Sequence, residues 1–144
     1  MDLGLKGSTG IVLGGSRGIG RAIALGLAEE GANVAICARN EQALRVTEAE
    51  ISNFGVRVHA EPCDVGDAAA LAAFLDSSRS ALGDVDMLVH NASALAVGPD
   101  LSDWEASIRV DVMAAVHAAE HVMPWMEASG GGSILFVSSI SGLE

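Results

Sequence analysis

The chain alternates short apolar runs with segments of helical periodicity, and this alternation restricts the fold more than any other feature of the sequence. The first apolar run, residues 11–13, ends in glycines, and residues 18–30 place apolar side chains at the spacing of a helix face. A glycine ends each of the first three predicted helices, at Gly31, Gly55 and Gly83. Such strand–helix–strand units require right-handed crossovers onto a parallel sheet, so we expect a doubly wound α/β fold.

The same periodicities set approximate bounds for the elements. The predicted strands are residues 11–13, 34–37, 56–61, 85–90 and 134–137. Asn40 and Asp67 are predicted N-caps, and the second helix is expected to bury a face made of Leu44, Thr47, Ile51 and Phe54. Residues 102–105 match a capping box and predict a long fourth helix that ends near Glu127. In such a sheet the ligand crevice lies at the carboxyl ends of the strands.

Length and composition narrow the classes of function. The chain has 144 residues, half of them apolar, which predicts one packed domain over residues 1–144. Nineteen acidic against eight basic residues give a net charge of −11, which opposes binding to nucleic acid or an anionic membrane. We find no membrane-spanning run or signal peptide and expect a cytoplasmic protein. Cys37 and Cys63 end apolar runs and are interpreted as reduced core thiols.

A glycine-rich segment, Gly-Gly-Ser-Arg-Gly-Ile-Gly over residues 14–20, joins the first strand to the first helix. Glycines at this turn let a pyrophosphate approach the backbone, and the helix N-terminus adds free N–H groups and the positive end of its dipole. A bare turn also needs glycines, but the position after the first strand favours phosphate binding. The predicted cofactor-binding residues of this loop are Gly14, Ser16, Arg17, Gly18, Ile19 and Gly20.

The spacing G-x-x-x-G-x-G resembles that of the short-chain dehydrogenase/reductases, and further motifs of this family follow in order. Asp64-Val65 is similar to the acidic pair after its third strand, and Asn91-Ala92 to the core of its Asn-Asn-Ala-Gly motif. Residues 139–142, Ser-Ile-Ser-Gly, resemble the segment that carries its catalytic serine, which is here Ser139. The resemblance covers essentially the whole chain.

This resemblance implies a Rossmann-type fold with five of the family's strands present and the C-terminal strands and helices missing. It also implies hydride transfer between a nicotinamide cofactor and a small-molecule carbonyl or alcohol substrate, in a homo-oligomer. In the family, the residue that matches Asp64 meets the adenine amino group, and Val65, Asn91 and Ala92 are expected to line the cofactor as well.

The charged residues at the end of the second strand help to distinguish NAD from NADP as the cofactor. An acid there would accept a hydrogen bond from the ribose 2′-hydroxyl of NAD, whereas a 2′-phosphate requires cations. This chain has Ala38 followed by Arg39, and Arg17 stands within the glycine loop. The sequence therefore predicts NADP, with NAD as the alternative if the two arginines are only solvated surface residues.

Four positions depart from the family pattern. Leu13 stands where the family usually has a Thr that braces the loop after the fourth strand, and His90 and Ser93 replace the outer residues of the Asn-Asn-Ala-Gly motif. Asp111 follows Trp104 by seven residues, where the family's helix presents the Asn of its catalytic tetrad. A carboxylate cannot donate as an amide does, so Asp111 is either an altered catalytic residue or an exposed helix residue.

The catalytic Tyr and Lys of the family follow its serine by about a dozen residues, whereas this sequence has no Tyr and five residues after Ser139. We therefore expect the chain as given to be an inactive part of an NADP-dependent oxidoreductase. The rival hypothesis is a non-catalytic dinucleotide-binding module or truncated subunit. A methyltransferase is disfavoured, because its glycine loop typically pairs with an acid at the end of the second strand.

One further motif matches a known metal-binding signature. Residues 117–121, His-Ala-Ala-Glu-His, match an inverted zinc-protease signature, with two histidines on one helix face. Such a site needs a third ligand and a free Glu in a cleft. We therefore expect a helix surface or a subunit contact here and no metal site.

Overall fold

A computed structural model describes residues 2–139 and contains within them a five-stranded, fully parallel sheet of order β3-β2-β1-β4-β5. The strands are β1 (Thr9–Leu13), β2 (Asn33–Ala38), β3 (Val58–Pro62), β4 (Met87–His90) and β5 (Ser133–Phe136). The helices are α1 (Gly18–Glu29), α2 (Glu41–Ser52), α3 (Ala68–Leu82), α4 (Leu101–Ser107) and α5 (Ala114–Ser129). A π-helical segment, Ile108–Met113, joins α4 to α5. The predicted doubly wound, Rossmann-type α/β fold is confirmed.

Both faces of the sheet are covered by helices. Val12 and Ile36 pack on one face in a cluster with residues of α1 and α2, and Ile11 and Leu13 pack on the other with residues of α3 and α5. Every residue of β1 is buried, which explains why this strand is a continuous apolar run rather than an alternating one. None of the helices within residues 2–139 is long and apolar enough to cross a membrane.

The helix starts follow the predicted caps in two cases. Asn40 Oδ1 accepts a hydrogen bond from the backbone N–H of Ala43 at 2.9 Å, and Asp67 Oδ1 accepts from Ala69 N and Ala70 N, each at 3.0 Å. Both predicted N-caps are therefore confirmed. Cys37 and Cys63 are buried free thiols, as predicted.

Two local predictions are wrong. The N-cap residue of α4 is Asp100 rather than Ser102. Asp103 Oδ2 accepts a hydrogen bond from Asp100 N at 3.3 Å, so the capping box begins two residues earlier than predicted. Phe54 is 47% exposed and does not join the buried face of α2, because the helix ends at Ser52 before another turn can carry that face forward.

Candidate functional site

The glycine loop lies at the carboxyl edge of the sheet, between β1 and α1, and is attached to the neighbouring strand. The backbone N–H groups of Gly14 and Gly15 donate to the carbonyl of Cys37 at 3.0 and 3.1 Å. Gly14 has φ of +80°, and an ideal Cβ on it would lie 2.9 Å from Ala92 Cα. The loop therefore passes directly against the segment that follows β4, where a side chain at Gly14 would separate them.

Asn91 connects the same two segments by hydrogen bonds. Its Nδ2 donates to the carbonyl of Gly14 at 3.1 Å, and its backbone N–H donates to the carbonyl of Leu13 at 3.1 Å. A Cβ on Gly20 would overlap both Gly14 O and Asn91 Nδ2, so only glycine fits at this point of α1. Leu13 has no hydroxyl with which to brace the loop, and the Asn91 amide supplies a bond between the loop and β4.

A third attachment comes from α2 and was not predicted as part of the site. The hydroxyl of Thr47, which is fully buried, donates to the carbonyl of Ser16 at 3.1 Å and lies 3.2 Å from Ala43 O of its own helix. Sequence analysis placed Thr47 only in the buried face of α2. One feature of the sequence could have indicated this role: Thr47 is a hydroxyl residue among apolar residues of a buried helix face. A buried hydroxyl needs a hydrogen-bond partner.

The arginines of the chain fall into two groups by their contacts. Arg21, Arg45 and Arg79 form ion pairs with carboxylates, and Arg57 donates to two backbone carbonyls. By contrast, the side chains of three arginines make no hydrogen bond or ion pair with any residue in the described range: Arg17, Arg39 and Arg109. The first two follow β1 and β2 and are exposed, so two unpaired guanidinium groups follow neighbouring strands at one edge of the sheet.

Asp64 and Val65 lie in the turn after β3, at the same edge. Asp64 Oδ1 accepts from the backbone N–H of Gly66 at 2.9 Å, while the residue stays exposed, and Val65 is buried. A carboxylate has lone pairs for further donors, so the exposed group can still accept from a ligand.

Asp111 lies in the π-helical segment and contacts the loop after β4. Its Oδ2 accepts from the backbone N–H of Ala94 at 3.1 Å. This bond joins the π-helical segment to the chain that begins with Asn91 and Ala92. The structure therefore brings Asp111 to the edge of the sheet where Asn91 lies.

His90 was noted in the sequence only as a departure from the family motif. It is 3% exposed, and neither ring nitrogen makes a hydrogen bond to a residue of the described chain. Burial lowers its pKa below the ordinary value of 6.5, against the opposing influence of the Asp111 carboxylate and of the Val110 and Asp111 carbonyls. Two departures from the family pattern, His90 and Asp111, are thus electrostatic neighbours.

Ser139 follows β5 and is the last residue that the structure describes. It is exposed, and the segment between β5 and Ser139 is held to the end of β4 by the bond from Val137 N to His90 O at 2.9 Å. It therefore follows β5 at the carboxyl edge. The remainder of its predicted motif, including Ser141, lies outside the described residues.

The His-Ala-Ala-Glu-His motif lies on α5. His121 Nε2 lies 2.8 Å from Asp76 Oδ1 on α3, and its ring meets the Trp125 ring edge-on at a centroid distance of 5.0 Å. Among the described residues, no three His, Cys, Asp or Glu side chains are arranged to hold a metal ion. The motif thus contributes a contact between two helices.

Comparisons with known proteins agree with this fold. A family model described as short chain dehydrogenase matches residues 9–144. Isoepoxydon dehydrogenase of Penicillium expansum is 33% identical over 100% of this chain and 57% of its own length.

Two solved structures have the same fold. A 7α-hydroxysteroid dehydrogenase complexed with NADH and 7-oxo glycochenodeoxycholic acid superposes with a TM-score of 0.92 at 32% identity, over 97% of this chain and 56% of its own. L-sorbose reductase from Gluconobacter frateurii, complexed with NADPH and L-sorbose, gives 0.88 at 37% identity, over 97% and 55%. The chain spans just over half the length of these relatives.

Proposed function

Because this chain belongs to the short-chain dehydrogenase family, we propose that it forms the nucleotide-binding part of an NADP-dependent oxidoreductase. The reaction is hydride transfer between the nicotinamide and a small-molecule carbonyl or alcohol. Residues 1–144 make up one NADP-binding domain in this proposal. The Tyr and Lys that complete catalysis in the family have no counterpart in this sequence, so the chain by itself is expected to be inactive.

The residues at the carboxyl edge fit a dinucleotide. The loop packs so closely on Ala92 and Asn91 that side chains at Gly14 and Gly20 are excluded, which fixes its backbone. A Cβ at Gly18 would meet no atom within 4 Å, so the start of α1 is open to a pyrophosphate. When bound, the nicotinamide supplies or accepts the hydride. The residues proposed to hold the cofactor are Gly14, Ser16, Arg17, Gly18, Ile19, Gly20, Arg39, Asp64, Val65, Asn91 and Ala92.

The observation that carries the choice of NADP is the pair of unpaired guanidinium groups on Arg17 and Arg39. Similar proteins bind either cofactor, since the steroid dehydrogenase structure holds NADH and the sorbose reductase structure holds NADPH. In a chain of net charge −11, whose ion-paired arginines are Arg21, Arg45 and Arg79, two arginines without partners after β1 and β2 favour a 2′-phosphate.

Two residues are proposed to act on the substrate side. The Ser139 hydroxyl donates to the carbonyl oxygen of the substrate and stabilises the negative charge that develops there during hydride transfer. Asp111 holds the loop after β4 through Ala94 N, so its role is to position this loop beside the nicotinamide.

An assembly and a location complete the proposal. Exposed apolar side chains of the π-helical segment, α5 and β5 line a groove of about 450 Å³, among them Val112, Val116, Met123 and Phe136. This apolar surface favours a homo-oligomer. The two buried free thiols favour a reducing compartment, and hence the cytoplasm.

The proposal is tested by measuring the dissociation constants of NADPH and NADH by fluorescence titration. We expect NADPH to bind more tightly by about 5- to 150-fold, the equivalent of ~1–3 kcal/mol for charge-assisted contacts. Arg39→Asp should shrink or reverse this preference, because it puts a carboxylate beside the 2′-phosphate. Arg79→Asp, which makes the same charge change away from the edge, is the matched control. Equal affinities in the parent protein would reject NADP as the cofactor.

A further inference from the structure

Arg109 is the third arginine without a side-chain partner in the described chain, and it lies against the turn after β3. An ideal Cβ on Gly66 would be 2.8 Å from Arg109 Nε and 3.1 Å from Asp64 Oδ1. The Arg109 side chain, which comes from the π-helical segment, therefore lies across the bare backbone of Gly66 and beside the Asp64 carboxylate.

Within residues 2–139, the N–H donors of the Arg109 side chain make no hydrogen bond. Asp64 Oδ1 accepts from the Gly66 N–H at 2.9 Å, and no ion pair between Asp64 and Arg109 is formed. Arginine beside a carboxylate usually pairs with it, since the guanidinium fork matches carboxylate geometry. Arg109 is thus an available cation in a protein with nineteen acidic and eight basic residues.

The three unpaired arginines lie along one half of the carboxyl edge. Arg17 follows β1, Arg39 follows β2, and Arg109 lies beside the turn that follows β3, in a sheet whose order runs β3-β2-β1. In a doubly wound sheet the pyrophosphate lies at the glycine loop and the adenosine ribose at the end of the second strand. The base attached to that ribose then extends towards the third strand, where Arg109 lies.

We propose that Arg109 is a further cofactor-binding residue whose guanidinium contacts the adenine ring of the bound dinucleotide. A guanidinium is planar and weakly hydrated, and it stacks readily on aromatic rings. This inference rests on the proposed function, because it assumes that a nicotinamide dinucleotide occupies the edge. It assigns different tasks to the cations: Arg17 and Arg39 act on the 2′-phosphate, and Arg109 acts on a base that NADP and NAD share.

The test compares Arg109→Gln with the parent protein by titration with NADPH and, separately, with NADH. Both dissociation constants should rise by the same factor, about 5- to 10-fold, as expected for the loss of one stacking contact to a base. The preference for NADPH over NADH should stay unchanged. Arg79→Gln removes the same charge from α3, where the Arg79 guanidinium lies 4.9 Å from the centre of the Trp125 ring, and should leave both constants within about 2-fold of the parent.

A second variant displaces the guanidinium without removing its charge. In Gly66→Ala the new methyl group would lie 2.8 Å from Arg109 Nε, so the end of this long side chain must move away; it would also lie 3.1 Å from Asp64 Oδ1 and 3.2 Å from Val110 Cγ2. This variant should also weaken both dinucleotides, and combining it with Arg109→Gln should add little further loss. Its far-UV circular dichroism should match that of the parent, because the closest atom belongs to a flexible surface side chain and the contacts to Asp64 and Val110 require shifts of only a few tenths of an ångström.

The outcomes separate this inference from the proposed function. Equal losses for NADPH and NADH support the contact with adenine, even if the parent has no preference between the two and the NADP assignment fails. A loss confined to NADPH assigns Arg109 to the 2′-phosphate and overturns the inference, as does a variant that binds like the parent. A parent protein that binds neither dinucleotide overturns both.

Discussion

The two halves of the carboxyl edge differ in how completely the described chain builds them. On the β3-β2-β1 side, the glycine loop is held by bonds from Asn91 and Thr47 and by the bond to Cys37 O, and all residues of β1 are buried. On the β5 side, Leu135 and Phe136 are each 52% exposed. The nucleotide half is thus packed within residues 2–139, whereas the half that carries Ser139 leaves apolar surface open.

Dinucleotide binding and hydride transfer place different demands on the structure. Binding a pyrophosphate needs backbone N–H groups in a rigid turn, and the contacts around Gly14 fix that turn locally. Orienting a carbonyl for hydride needs several side chains held together in a site closed to water. The following predictions test whether the two halves respond differently to substitution.

The largest effect is expected on the β5 side, from Ser139→Ala in a chain that carries the family's Tyr and Lys after Glu144. Loss of a hydrogen-bond donor to the developing oxyanion should lower kcat for carbonyl reduction by about 10²–10³. NADPH affinity should be nearly unchanged, because the proposed cofactor contacts lie on the other half. Steady-state kinetics and an NADPH titration give the two readouts.

The neighbouring Ser138 provides the control for this experiment. It is also exposed, so Ser138→Ala removes a hydroxyl from the same segment without removing the proposed donor. It should reduce kcat by less than about 5-fold, well under the loss for an oxyanion donor. If Ser139→Ala turns over at the parental rate, then Ser139 is not the catalytic serine and the alignment of this segment with the family is wrong.

The next-largest effect, a loss of stability and of NADPH binding, is expected in the nucleotide half from Gly20→Ala. The added methyl group would overlap Gly14 O and Asn91 Nδ2, so the loop or α1 must shift. We expect a loss of about 2–4 kcal/mol in the free energy of unfolding, as for overpacking at a rigid site, together with weaker NADPH binding. Denaturant unfolding and titration measure the two effects.

Gly26 offers a matched control on the same helix. No atom lies within 4 Å of a Cβ placed there, so Gly26→Ala adds the same methyl group to α1 without a clash. This variant should raise stability by ~0.5–1 kcal/mol, because alanine loses less backbone entropy in a helix. Equal behaviour of the two variants would show that the close packing at Gly20 is not what holds the loop.

The sequence predicted the strands, the glycine turn and two helix caps of the β3-β2-β1 side, for a physical reason. Strand periodicity, the glycine spacing and the caps at Asn40 and Asp67 are local signals, and the structure follows them. Other contacts join residues that are far apart in the chain, so no local sequence pattern predicts them. Examples are the bond from Thr47 to Ser16 and the proximity of His90 to Asp111. The π-helical segment, likewise, interrupts a stretch that the capping box at residues 102–105 predicted as one long helix.

The smallest expected effect is a pH dependence that originates between the two halves, at His90. Burial holds the pKa of this histidine below 6.5 in the folded protein, so the unfolded chain takes up the proton first as the pH falls. The free energy of unfolding should therefore decrease as the pH drops through 6.5, until the pH falls below the pKa of the folded state. His90→Asn, measured by denaturant unfolding at several pH values, should lose this part of the pH dependence.

One further variant sharpens this last prediction. Asp111→Asn removes the carboxylate that favours the charged imidazole, so the pKa of His90 should fall further and the loss of stability should extend to lower pH. If the pH dependence of stability in His90→Asn matches that of the parent, then the pKa of His90 is the same in the folded and unfolded protein, and burial does not lower it.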